Sequence, residues 1–250
     1  MPFKVKATMV AFLGNTEKYP CHQNYKVGDE ITFDGRTLEG NVCPEVLPQL
    51  AQKINAIHSA GPRFVDPAYY NLFWYAPCST AAPENKKYDG NGFKPTLESM
   101  NEPPHTLAAL IDPNAFHWPP VEDRICLTDV NVICPDARTS AVFKVEAVDL
   151  CEFGESAPYF RRSMTIINKL AKNPGMSIEE IDASFTEKQI YEIYPPLTAQ
   201  MTTYLMEEML SLGYAELKED RYYVTDAAKE RLQKFIDDIT DEEVEALELR

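Results

Sequence analysis

The chain of 250 residues contains no run close to the roughly 20 apolar residues that a membrane-spanning helix needs. Its first residues, Met1-Pro2-Phe3-Lys4-Val5-Lys6, lack the apolar stretch and small-residue cleavage site of a secretory signal, so the reading is a cytoplasmic protein. Basic residues are scarce, with 24 Lys and Arg against 39 Asp and Glu, for a net charge of −15. A surface of that sign repels phosphate backbones, and the nearest approach to a basic patch is the pair Arg161-Arg162. Nucleic acid is therefore disfavoured as a partner. Six cysteines are too few for a disulfide scaffold, and no C-x-x-C pair is present. A Walker loop, a GxGxxG turn, an H-E-x-x-H helix and an ordered Ser-His-Asp set are likewise missing, which removes the common enzyme signatures.

What the chain does contain is patterned. Residues 3–13 begin with strict apolar alternation and predict a strand. Residues 25–35 predict a turn, a short strand and an Asp-Gly turn. Leu47, Leu50, Ile54 and Ile57 recur at helical spacing, with Cys43 expected at the N-cap, Pro44 in the first turn and Gly61 past the end. Residues 124–134 and 141–149 predict two strands joined by the turn Pro135–Arg138. These elements give an α+β unit over residues 1–154, a small antiparallel sheet carrying one helix.

Residues 62–123 interrupt it. They hold 10 of the 19 prolines and both tryptophans. Disordered segments are poor in aromatics, so this insertion is expected to be ordered. Its Tyr69, Tyr70, Trp74, Tyr75, Phe116 and Trp118 are candidates to wall a pocket for an aromatic or apolar small molecule, with His105 or His117 as general base. The competing reading is a small aromatic core or a subunit contact.

A cysteine at a helix N-terminus meets backbone N–H donors, which favour a thiolate nucleophile or metal ligand. Cys43 is the candidate on that ground. Cys21, His22, Cys43 and Cys134 form the candidate metal set, for zinc or iron, because all four flank strand ends. Adjacent residues seldom ligate one ion together, so Cys21 and His22 compete for one position. Cys78, Cys126 and Cys151 read as structural thiols.

The run Lys26-Val-Gly-Asp29-Glu, the Gly40-x-x-Cys43-Pro44 element and Cys134-Pro135-Asp136 followed by Val142-Phe143 resemble a small family of short bacterial and archaeal proteins with no assigned activity. The resemblance covers residues 1–60 and 124–150. It departs at the insertion and at Tyr25, where that family usually carries a histidine; His22 is the nearby substitute. It implies an architecture and leaves the function open.

Residues 155–237 predict helices near 159–172, 176–185 and 197–213, then a strand-turn-strand and a closing helix from Asp226. That order resembles a winged-helix domain. The helix expected to read DNA, beginning at Leu197, has no basic residue, and residues 155–250 carry 11 basic against 20 acidic side chains. DNA readers need Lys or Arg for phosphates, so the resemblance implies a module that docks protein or self-associates into a homo-oligomer. Residues 238–250 are expected to be a solvated acidic tail. Two functions follow as expectations. The first is a small-molecule-binding protein or enzyme, metal-assisted at Cys43. The second is a non-catalytic subunit or regulator acting through the acidic winged helix.

Overall fold

The structure, a computed structural model, describes residues 2–64, 66–67, 126–127, 130–136 and 138–250. Strand β1 (Phe3–Phe12) alternates buried and half-buried positions, as its sequence pattern requires. It lies in the middle of a five-stranded antiparallel sheet of order β3-β2-β1-β7-β6, with β2 at Glu30–Phe33, β3 at Leu38–Glu39, β6 at Val130–Ile133 and β7 at Ala141–Leu150. Register is set by pairs such as Ala7↔Ile31 and Ala7↔Val145, which put Val5, Ala7 and Met9 on the buried face.

Helix α1 (Leu47–Ala60) covers that face with Leu50, Ile54 and Ile57. Its boundary differs from expectation. The N-cap is Val46 and the first-turn proline is Pro48, while Cys43 to Val46 form a turn that precedes the helix. The turn is continuous with the helix because the Cys43 carbonyl accepts from both the Val46 and the Leu47 amides. Gly61 ends α1 at φ +66°, where a Cβ would stand 2.3 Å from the Phe3 ring. Only glycine meets both demands.

Beyond Gly61 the chain forms β4 (Asp66–Pro67), which pairs antiparallel with β5 (Cys126–Leu127). The two ends of the insertion are thereby held side by side.

The C-terminal region is helical, with a hairpin. Its helices are α2 (Ala157–Lys172), α3 (Ile178–Ala183), α4 (Glu187–Tyr191), α5 (Ala199–Ser211), α6 (Asp226–Asp238) and α7 (Asp241–Ala246). Between α5 and α6 lies the hairpin of β8 (Ala215–Lys218) and β9 (Arg221–Val224). Its two turn residues, Glu219 and Asp220, both take positive φ, the geometry of a tight primed turn. Ser177 and Glu180 form the expected capping box on α3.

Two features of this region correct the sequence reading. Helix α4 was not expected, although Thr186 and Gln189 form a second capping box at its start. Residues 238–250 are not a solvated tail. Val244, Leu247 and Leu249 are buried in the same core as Phe160, Met164 and Leu205, because they supply an apolar edge that the surrounding acids conceal.

The core of this region holds a buried cation. Arg162, fully enclosed, donates to the carbonyls of Pro195 at 2.7 Å, Gln189 at 2.6 Å and Ile190 at 3.0 Å, and to that of Ile193. Phe3 and Leu150 from the sheet belong to this same core. A polar seam reinforces the junction. The Tyr214 hydroxyl donates to Asp149 at 2.6 Å, and Arg231 meets Asp149 at 3.4 Å and Glu152 at 3.0 Å. Among the described residues no helix is long and apolar enough to cross a membrane.

Candidate functional site

Gly40 leaves β3 at φ +119°, with space for no side chain, since a Cβ there would stand 2.6 Å from the Glu30 carbonyl. That close approach delivers Asn41, Val42 and Cys43 to the end of the sheet. Tyr25 fixes them. Its hydroxyl donates to the Asn41 carbonyl at 2.6 Å and accepts from the Cys43 amide at 2.8 Å. The Tyr25 ring sits edge-on to Phe143 of β7, with centroids 5.1 Å apart. The Asn41 side chain returns a hydrogen bond to the Gln23 carbonyl at 3.0 Å, tying the loop before Tyr25 to the loop before Cys43.

These loops bring cysteines together. Cys43 and Cys134 are buried and Cys21 is half-buried, all packed in the cluster that also holds Tyr25, Val46 and Leu50. His22 is exposed, and its Nε2 stands 3.6 Å from the Cys43 sulfur. Burial pushes the Tyr25 phenol above its ordinary pKa, and negative charge at Cys43, Cys21 or Cys134 pushes it further in the same direction. Burial likewise raises the Cys134 thiol, with Cys43, Asp136 and Cys21 adding to the effect. The three cysteines therefore share one electrostatic neighbourhood. Asp136 lies at its edge; a bidentate contact from Arg138, at 2.9 and 3.1 Å, holds its carboxyl below the usual range.

The separation between Cys43 and His22 has a chemical meaning. Metal–sulfur and metal–nitrogen bonds of ~2.3 and ~2.05 Å at a tetrahedral angle give an S···N edge of about 3.5 Å. The observed 3.6 Å matches that edge. Among the described residues, no group of three or more His, Cys, Asp or Glu side chains is arranged to hold a metal ion. The same distance is that of a sulfur–nitrogen hydrogen bond, and Cys21 and Cys134 pack in the same cluster as Cys43 without completing a preformed cage.

His105, His117, Tyr69, Tyr70, Trp74, Tyr75, Phe116 and Trp118 lie outside the described residues. Cys151 is far from the other thiols in role: burial pushes it up to about 12, and its sulfur rests 3.8 Å from His58. Tyr25, which holds the Cys43 loop, stands out in the sequence only as a departure from the histidine of the family it resembles.

Comparison of the chain with protein-family models, with curated proteins and with solved structures finds no match. The functional reading rests on the geometry alone.

Proposed function

We propose that the N-terminal unit binds a soft divalent cation, zinc or iron, and uses it to hold a small molecule. The observation that carries this reading is the 3.6 Å spacing of Cys43 and His22 within a cluster that also holds Cys134 and Cys21. Because Cys21 and His22 are adjacent, one of them serves, and His22 already stands at ligand distance from Cys43. Cys43, His22 and Cys134, drawn together by the ion from a cluster that is not preformed to hold it, would make three protein ligands and leave a fourth position open. Three-ligand sites with an open position are the binding and catalytic kind; four-ligand sites are structural. A bound ion would supply Lewis acidity to a donor atom on the small molecule. Tyr25 holds the Cys43 loop in place, and the aromatic insertion is the source of apolar contacts to that molecule.

Metal analysis of the purified protein tests the proposal. One equivalent of zinc or iron is expected, lost in Cys43→Ala and in His22→Ala and kept in Cys21→Ala. Metal-free protein, or metal retained in Cys43→Ala, refutes it.

A second reading concerns the C-terminal region, proposed to be a winged-helix-like docking module for protein or for a second copy of the chain. Its support is charge: α5 has no Lys or Arg and carries Glu207 and Glu208. Such a helix does not neutralise phosphates. Sedimentation of the purified protein across concentration reads self-association, and titration with duplex DNA at low salt is expected to show no binding.

A further inference from the structure

In a chain of net charge −15, helix α2 carries Arg161, Arg162, Lys169 and Lys172 and no acidic residue. Arg161, Asn168 and Lys172 fall seven and four residues apart, which places them on one face of the helix. All three meet the C-terminal segment, Thr240–Arg250, in order. Arg161 pairs with Glu243 at 2.8 Å, the Asn168 amide donates to the Glu248 carbonyl at 3.3 Å, and Lys172 donates to the Arg250 carbonyl at 3.0 Å. The segment thus runs along α2 in the same direction. A second rail comes from α4, where Gln189 donates to the Glu248 carboxylate at 2.6 Å and Lys188 pairs with it at 3.7 Å.

The segment has the features of an independent ligand. Its helix starts on its own capping box, Thr240 with Glu243, and Arg250 closes back on Asp241. It offers Val244, Leu247 and Leu249 to the core and acids to the cationic rails. It does not fill its seat: a cavity of ≈ 380 Å³ lies between it, α2 and α4, bordered by Arg161, Lys188, Glu192, Tyr194 and Leu247. Tyr194 at its rim is 73 % exposed.

We propose that this seat is a docking groove for an acidic amphipathic helix of a partner protein, and that the C-terminal segment occupies it in cis until displaced. The charge of the groove against the charge of the chain argues for the partner's chemistry. The cationic rails match acids, and the bound segment displays the pattern they accept: an acid just before the first of three spaced apolar residues and another between the last two. The inference rests on the docking reading and narrows it to one face. It is independent of the metal centre.

The test uses full-length protein and a fluorescent peptide of residues 239–250, read by anisotropy. Leu247→Asp removes the central apolar anchor and vacates the groove. The peptide is expected to bind this variant at least about tenfold more tightly than wild type, since apparent affinity scales with the fraction of open groove. Adding Arg161→Glu and Lys188→Glu should abolish that binding. Equal binding to wild type and a folded Leu247→Asp, or binding indifferent to the charge reversals, overturns the proposal. Should Leu247→Asp fail to fold, hydrogen exchange on wild type decides. Amides of residues 243–249 are expected to exchange at least about tenfold faster than those of α2, and equal protection overturns the idea. If the peptide fails while the chain still self-associates, the groove is wrong and the docking reading stands.

Discussion

Replacing Arg162 with methionine keeps most of the apolar stem and removes the guanidinium, which donates to four main-chain carbonyls. Ile190 keeps the Leu197 amide as a second partner. The carbonyls of Gln189, Ile193 and Pro195 lose the donor they face. At about 1–1.5 kcal/mol for each buried acceptor left without its partner, the cost is ~3–4 kcal/mol. Burial pulls the Arg162 pKa down to about 10, which still leaves it charged at neutral pH. For a chain of this size, 1 kcal/mol shifts the melting temperature by about 2–4 °C, so a fall of roughly 10 °C is expected by calorimetry. Arg162→Lys restores one donor head in place of a planar fork and should recover less than half of the loss. A fall of under ~3 °C in Arg162→Met would refute the reasoning, because the carbonyls would then be finding other donors.

Three further outcomes follow from the described geometry. Gly61→Ala drives a Cβ into the Phe3 ring at a positive φ, and a loss of about 2–4 kcal/mol in urea unfolding is expected. Under native alkylation followed by mass spectrometry, half-buried Cys21 should react before Cys43 and Cys134, and Cys151 should resist throughout, since burial raises its pKa to about 12. Burial alone would raise Asp34, yet the Thr37 and Arg36 amides and the Thr37 hydroxyl hold it below its ordinary 3.8. Its folded pKa is the lower one, so its stabilising share is complete above 3.8 and fades as pH falls through the folded value. Asp34→Asn should therefore lower stability near neutrality, flatten the acid limb of the profile and converge on the wild type at low pH.

Much of the α+β unit is legible in single-element patterns. The alternation from Phe3, the spacing of Leu50, Ile54 and Ile57, and the turn before β7 are local signals, and the body of each element lies where its pattern puts it. The start of α1 is displaced because a proline is accepted in any first turn. Pro44 and Pro48 compete for that place, and the Cys43 carbonyl serves the turn and the helix alike. The acidic end was misread for a compositional reason: Glu242, Glu243, Glu245 and Glu248 dominate the segment, while three apolar side chains decide its position. The site itself is tertiary. That Tyr25 holds the Cys43 amide, or that His22 reaches its sulfur, depends on loops 18 and 21 residues away, and no local pattern encodes such a meeting.

The pairing of β4 with β5 has a consequence for chain entropy. Asp66 pairs with Leu127 and Pro67 with Cys126, so the two ends flanking the 58 residues from 68 to 125 lie side by side. Closing a loop of that length costs ~2.4 kcal/mol more than closing one of about four residues. The five strands of the described sheet all lie outside that stretch, and they would keep their order if a short turn joined Pro67 to Cys126. A chain so shortened would be expected to gain stability unless the excursion returns more than that difference through its own contacts. Measuring the shortened protein's stability therefore weighs the insertion directly, and its ability to hold a small molecule tells what the long form is kept for.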